Sequence, residues 1–333
     1  MVITNLIIIS FTQIIIILFL NKIAYSLDLL DYPNKRKNHS KPTPFIGGLA
    51  ISLTYCLIIL ITDIKLFNFK ALIIYSFIVS IIGLVDDKFN LNPSSKLFLQ
   101  SVPVYFLIES GIYLKDLGSY ELFNILQLGS YGKFFTFLCC LLIMNAFNYC
   151  DGIDGLLSTL FLNILIVFIV LSYLLDKENI NEYLLYLLIP VIIFLLFNLS
   201  ILKLPKIFLG DSGSLMMGFI TGFIMIILYL KLKIHPSILI WPTAFIIYEF
   251  LSTNILRFLK KKNLFETGSD HIHYRISKKY KLKTLGVNLF LNLLSLIITF
   301  IGVITFFMFG TLYSLIGFVI LFFIYLGLRY KFI

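Results

Sequence analysis

Eleven apolar stretches, each near the length of a bilayer-spanning helix, leave this chain little choice of fold. They run over roughly 3–27, 45–62, 71–85, 96–112, 132–150, 155–175, 183–202, 212–230, 236–258, 284–307 and 311–328, the third being short and running straight into Asp86-Asp87. A span needs about 20 mostly apolar residues, and backbone in hydrocarbon must satisfy its own hydrogen bonds. The expected fold class is therefore all-α: one polytopic integral membrane domain, 1–333, of about eleven transmembrane helices. Only 13% of residues are charged and 59% are hydrophobic, against about 25% charged in soluble domains. That balance excludes a water-covered globule. Met1–Leu20 has no charged segment ahead of its apolar run, so it reads as a retained first span rather than a cleaved signal. Cys56, Cys139, Cys140 and Cys150 lie in or beside apolar runs without paired metal spacing and read as small buried hydrophobes.

Loop charge gives an orientation. Twenty of the 27 Lys and Arg fall on the side of the first loop, and basic loops stay cytoplasmic. The N-terminus is then outside, the C-terminus inside, and the chain a multi-pass protein of the cytoplasmic (inner) membrane. The basic excess serves this orientation and contact with anionic lipid; the bilayer is a partner and nucleic acid is not. The cytoplasmic loops are 28–44, 86–96, 149–155, 203–214 and 259–283. Their residues include the carboxylates Asp86, Asp87, Asp151, Asp154 and Asp211 and three histidines, His39, His271 and His273. Glu109 and Glu249, the acidic residues nearest mid-depth, have no evident cation partner. The stretch 113–133, broken by Gly118, Gly129 and Gly132, suits a small hairpin outside the membrane.

Five segments on that face carry chemistry. In 31–48, Pro33, Pro42 and Pro44 forbid a continuous helix, while Lys35, Arg36, Lys37 and Lys41 precede the Gly47-Gly48 helix start, a place for an anionic ligand. Asp86 and Asp87 end an apolar helix side by side, an arrangement that a cation or a shared proton would relieve, and Lys96 opens the next helix within reach of a phosphate. In Asn145-Ala-Phe-Asn148-Tyr-Cys-Asp151-Gly-Ile-Asp154-Gly, helical spacing predicts one oxygen-rich stripe of two amides and two carboxylates. Such oxygens suit Mg²⁺, which keeps substrate phosphates in its shell. Gly210-Asp211-Ser-Gly213-Ser214 offers a carboxylate and free N–H groups at a helix start. Asp270-His271-Ile-His273-Tyr-Arg275 suits hydrogen bonding to a diphosphate or proton transfer; zinc ligation by the alternate histidines lacks cysteines to complete it.

Together these segments resemble the polyprenyl-phosphate N-acetylhexosamine-1-phosphate transferases, whose motifs run in the same order across 31–275. The resemblance implies ten or eleven helices around a cytoplasmic cleft. It implies transfer of a HexNAc-1-phosphate from a UDP-sugar, UDP-GlcNAc by default, to undecaprenyl phosphate, with UMP released. The cofactor it implies is Mg²⁺, with Mn²⁺ as a substitute. By the same resemblance Asp211 and Asn148 match the metal ligands, and Asp86, with Asp87 beside it, the carboxylate that deprotonates or positions the lipid phosphate. Lys96 matches a diphosphate contact, Asp151 and Asp154 the nucleotide pocket, and His271, His273 and Arg275 the loop facing the sugar-diphosphate. Departures concern the sugar: Ile272 interrupts the three consecutive histidines of the phospho-MurNAc-pentapeptide translocase branch, Tyr274 replaces a last histidine, and Tyr248-Glu249-Phe250 stands where many members read Pro-x-x-Asp. The translocase activity, a secondary transporter, a homodimer, and direct displacement or an aspartyl intermediate all remain open at this stage.

Overall fold

The computed structural model describes residues 2–33, 41–62, 67–122, 124–175, 180–262 and 271–331. Helix α1 (Val2–Ala24) is followed by β1 (Leu30–Asp31), which pairs antiparallel with β2 (Thr43–Pro44) ahead of α2 (Gly47–Ile61). Next come α3 (Phe67–Phe89), α4 (Pro93–Glu109), the hairpin β3 (Asp116–Ser119) and β4 (Ile125–Gln127), then α5 (Gly132–Cys150), α6 (Leu156–Leu174), α7 (Asn181–Asn198) and α8 (Gly210–Leu232). The short α9 (Pro236–Leu239), α10 (Ala244–Leu259), α11 (Ile272–Tyr280), α12 (Thr284–Phe309) and α13 (Thr311–Lys331) complete the chain.

Each of the eleven apolar stretches is helical. Among the described residues nine helices are long and apolar enough to cross a membrane, the α9–α10 run counting as one; α2, with 15 residues, is shorter, and α4 has 17. The third stretch is longer than expected, because α3 continues for 23 residues and carries Asp86 and Asp87 in its last turn. The hairpin expected in 113–133 is present as β3–β4.

Helix α8 is the axis of the molecule. Its apolar window is 78% buried, against 17% in α1 and 11% in α13, so α8 packs against protein all round while the outer helices turn apolar faces outward. Helices α2, α3 and α5 wrap α8. A Cβ on Gly83 of α3 would fall 2.4 Å from Asp211 O and Ser212 N, so only glycine there lets the end of α3 reach the start of α8. This contact brings Asp86-Asp87 against Asp211.

Local capping fixes the neighbouring ends. Asn92 accepts a hydrogen bond from Ser95 N at 2.8 Å, with Pro93 at the first position of α4, as N-cap chemistry favours. At the opposite end of the bundle Glu121 accepts from the Leu312 N–H at 2.8 Å, capping α13.

Two expectations need correction. The stripe from Asn145 to Asp154 is not one helical face: α5 stops at Cys150, Asp151 leaves helical geometry (φ −82, ψ 78), and Gly155 follows with φ +76. The two glycines of this segment favour a turn over a further helical turn. Glu109 and Glu249 do have partners: Lys133 Nζ lies 2.7 Å from Glu109 at a half-exposed position, and Arg329 forms a buried pair with Glu249.

Candidate active site

The ends of α3, α5 and α10 and the starts of α4, α8 and α11 enclose a cleft of about 1680 Å³. Asp86, Asp87, Lys96, Asn148, Asp151, Asp154, Asp211, His271 and His273 all line it. Lys41 is exposed and lies away from the cleft wall. Arg275 faces a smaller basic pocket with Arg257, Lys260 and Arg329. His39, Lys35–Lys37 and Asp270 lie outside the described residues.

At the cleft floor four side chains from four helices meet. Lys96 Nζ is 2.7 Å from Asp86 Oδ2 and 3.1 Å from Asn148 Oδ1, and it also donates to Asp211 Oδ2. Asn148 Nδ2 donates to Asp211 Oδ1 at 2.8 Å and to Ser214 Oγ at 2.9 Å. Asp86 is 8% exposed, and its Oδ1 accepts the Leu91 N–H at 3.0 Å. Three oxygens from separate motifs therefore converge on one cationic point. Among the described residues no three His, Cys, Asp or Glu side chains form a metal-ligand group; the convergent set is two carboxylates and one amide oxygen.

Asp87 points the other way, accepting the N–H groups of Asp211 at 3.0 Å and Ser212 at 3.3 Å. It caps α8 from α3 and holds the Asp211 turn in place. Asp87→Ala is expected to lower stability by about 1–2 kcal/mol, the usual cost of losing a cap, read as a reduced thermal midpoint in detergent.

The wall beyond is built on the 151–155 turn. Burial, then the nearby Asp211 and Asp154 carboxylates, push Asp151 up to about 8. Near neutral pH it thus carries less negative charge than an open carboxylate where an anionic substrate would lie. Asp154 pairs with Lys206 Nζ at 2.5 Å. Tyr149 stands edge-on to Phe250 and His271, at 5.0 and 5.3 Å between centroids. Arg257, 4% exposed, lies over the Tyr149 ring and donates to its hydroxyl at 3.3 Å.

His271 and His273 stack with centroids 5.5 Å apart. His273, 2% exposed, packs so closely on Gly152 that a Cβ there would fall 2.1 Å from Nε2, and Tyr274 donates to Gly152 O at 3.1 Å. Burial, then the charges of His271 and Arg329, hold His273 down at about 3. An unfolded histidine titrates near 6.5, so the native state resists protonation and loses stability as pH falls from 6.5 toward 3. The loss between pH 6.5 and 4 is expected to reach roughly 3 kcal/mol. His273→Asn should flatten that acid limb in a series of thermal midpoints against pH.

Sequence reasoning passed over Tyr149, Lys206, Phe250 and Arg257. Arg257 had a signal: it falls two turns after Glu249 on an apolar helix, and a cation at such a position is costly unless it serves a site.

A model of glycosyl transferase family 4 matches residues 69–229, which hold Asp86, Asp87, Lys96, Asn148, Asp151, Asp154 and Asp211. The chain is 28% identical, over 83% of its length and 76% of the relative's, to the undecaprenyl-phosphate alpha-N-acetylglucosaminyl 1-phosphate transferase of Yersinia pestis. It is 26% identical to the protein of that name from Escherichia coli K12, over 83% and 76% of the two chains. It is 28% identical to a probable undecaprenyl-phosphate N-acetylglucosaminyl 1-phosphate transferase of Bacillus subtilis, over 80% and 74%. The match carries the whole acidic cleft floor: over residues 69–229 the chain is similar to glycosyl transferase family 4.

Proposed function

We propose that this multi-pass membrane protein transfers N-acetylglucosamine 1-phosphate from UDP-GlcNAc to undecaprenyl phosphate and releases UMP. The observation that carries the proposal is the meeting of Asp86, Lys96, Asn148 and Asp211 at the floor of a cleft walled by Asp151, Asp154 and the histidine pair. We read this cleft as facing the cytoplasm from the inner membrane, a reading supported by the 20 of 27 Lys and Arg on the side of the first loop.

The donor set suits a hard divalent cation. Mg²⁺ takes oxygen ligands, is content with one or two carboxylates, and completes its shell with water and substrate phosphate. Asp211, Asn148 and Asp86 present three oxygens toward the point now held by the Lys96 ammonium. Asp211 and Asn148 would hold Mg²⁺, or Mn²⁺ in its place. Bound there, the ion would supply neutralisation of charge on the diphosphate.

In the reaction an oxygen of the lipid phosphate bonds to the sugar-bearing phosphorus, and that phosphorus separates from the bridging oxygen, which leaves with UMP. The attacking oxygen is already anionic, so positioning and charge stabilisation dominate. Lys96 holds phosphate oxygens at the cleft floor. Asp86, fixed by Leu91 N–H and Lys96, orients the incoming phosphate. Asp151 and Asp154 border the nucleotide, and His271 and His273 border the sugar-diphosphate.

A panel of UDP-GlcNAc, UDP-GalNAc and UDP-MurNAc-pentapeptide, scored by the mass of the lipid product, tests the donor. The UDP-GlcNAc product is expected to dominate; a dominant MurNAc-pentapeptide product would transfer the assignment to the translocase branch.

A further inference from the structure

Helix α11, which carries the histidine pair into the cleft, has no side-chain cap from its own N-cap residue, His271. It has nine residues, several of them basic. The first N–H groups of a helix need partners. The partner here comes from another helix: Glu249 Oε1 accepts the Ile272 N–H at 2.9 Å. A carboxylate at that end also opposes the helix dipole favourably.

Glu249 is itself immobilised. Arg329 of α13 grips it with Nε to Oε2 and Nη2 to Oε1, both at 2.9 Å, Tyr325 donates to Oε2 at 2.9 Å, and Thr253 donates to Oε1 at 3.3 Å. Glu249 and Arg329 are each 2% exposed. The pairs Glu249/Thr253 and Tyr325/Arg329 are each spaced four residues apart, so one face of α10 meets one face of α13. Two buried charges are costly to bring together and are often replaceable by apolar groups without loss of stability. Fold stability alone therefore gives little reason for the pair, whereas Glu249 also accepts the N–H of Ile272, the residue between the two histidines.

We infer that Glu249, clamped by Arg329 and Tyr325, is a positioning residue that sets the start of α11 and so the seat of His271 and His273 on the 151–155 turn. The C-terminal helix thereby belongs to the catalytic apparatus without touching substrate. The kinetic part rests on the transfer reaction proposed above; the structural part does not.

The test is the triple variant Glu249→Met/Tyr325→Phe/Arg329→Met, which removes both charges and the hydroxyl that would lose its acceptor. Its thermal midpoint is expected to stay near that of the parent, amide exchange across 271–280 to accelerate at least tenfold, and kcat/KM for transfer to fall about 10–100-fold. Glu249→Gln/Arg329→Met keeps an oxygen for Ile272 N–H and is expected to recover parental exchange in 271–280 and most of the activity. Parental exchange in the triple variant would overturn the inference, as would loss of protection with unchanged kcat/KM. Should the triple variant not fold, a Gln/Met double variant with α11 as loose as in Glu249→Met/Arg329→Met would overturn it as well. If the parent itself transfers nothing, exchange still decides whether Glu249 anchors α11, which separates failure of the inference from failure of the proposed reaction.

Discussion

Asp211→Asn is expected to lower transfer by about 10³-fold while leaving the protein folded. Asp211 receives hydrogen bonds from Lys96 and Asn148 and opens α8 with its backbone N–H fixed by Asp87. The asparagine keeps volume, one oxygen and that backbone bond, so the local structure has no reason to collapse. What is removed is a full negative charge at the point where three oxygens converge. Removing one preorganised electrostatic contact from an active site costs about 10²–10³ in turnover; loss of the ligand charge proposed for Mg²⁺ would add to this. Initial rates at saturating and limiting Mg²⁺, with a thermal melt of each protein, check the claim. Retention of more than about a tenth of parental turnover at limiting Mg²⁺ would remove Asp211 from the metal site.

Lys96→Met is expected to cut transfer at least 10²-fold and to change how the protein responds to divalent ions. Lys96 is the only cation within hydrogen-bonding distance of both Asp86 and Asp211 among the described residues. Methionine keeps the apolar stem but leaves two carboxylates and the Asn148 oxygen facing one another. Taking one partner from a buried ion pair costs about 3–5 kcal/mol; here the carboxylates are 9% and 28% exposed, so the cost is smaller. A divalent cation can occupy the same point, and binding to the native state alone raises apparent stability by mass action. The thermal midpoint of Lys96→Met should therefore fall without Mg²⁺ and rise on its addition by more than that of the parent. Equal Mg²⁺ shifts in the two proteins would mean that the convergent oxygens are not where the ion binds.

The helices and the floor of the cleft were legible in the sequence for separate physical reasons. Hydrocarbon-length apolar runs admit one secondary structure, so all eleven stretches appear as helices. Asp86, Asn148 and Asp211 are short-range signals, carboxylates and amides beside glycines at the ends of apolar runs, and those ends meet because Gly83 lets α3 touch α8. Relations set by tertiary packing were not legible. The Glu249–Arg329 pair joins positions 80 residues apart, and nothing local to either marks the other. The stripe over 145–154 is not one face because its periodicity runs past Cys150, where Asp151 leaves the helix ahead of Gly152 and Gly155. Arg275 shares the His-x-His segment, yet its helical position directs it to the adjacent basic pocket with Arg257 and Arg329. Asp87 reads as a twin of Asp86, but α3 aims their carboxylates at different targets, Asp86 at Lys96 and Asp87 at the N–H groups of α8.

The most direct measurement follows both products of the purified protein in detergent, given UDP-GlcNAc labelled on the sugar-bearing phosphate and undecaprenyl phosphate, with and without Mg²⁺. The label should pass to the lipid phase in step with UMP release, only when both substrates and the divalent ion are present. Release of UDP in place of UMP, with the label left in the water phase, would show that the sugar moves without its phosphate and would contradict the proposed reaction.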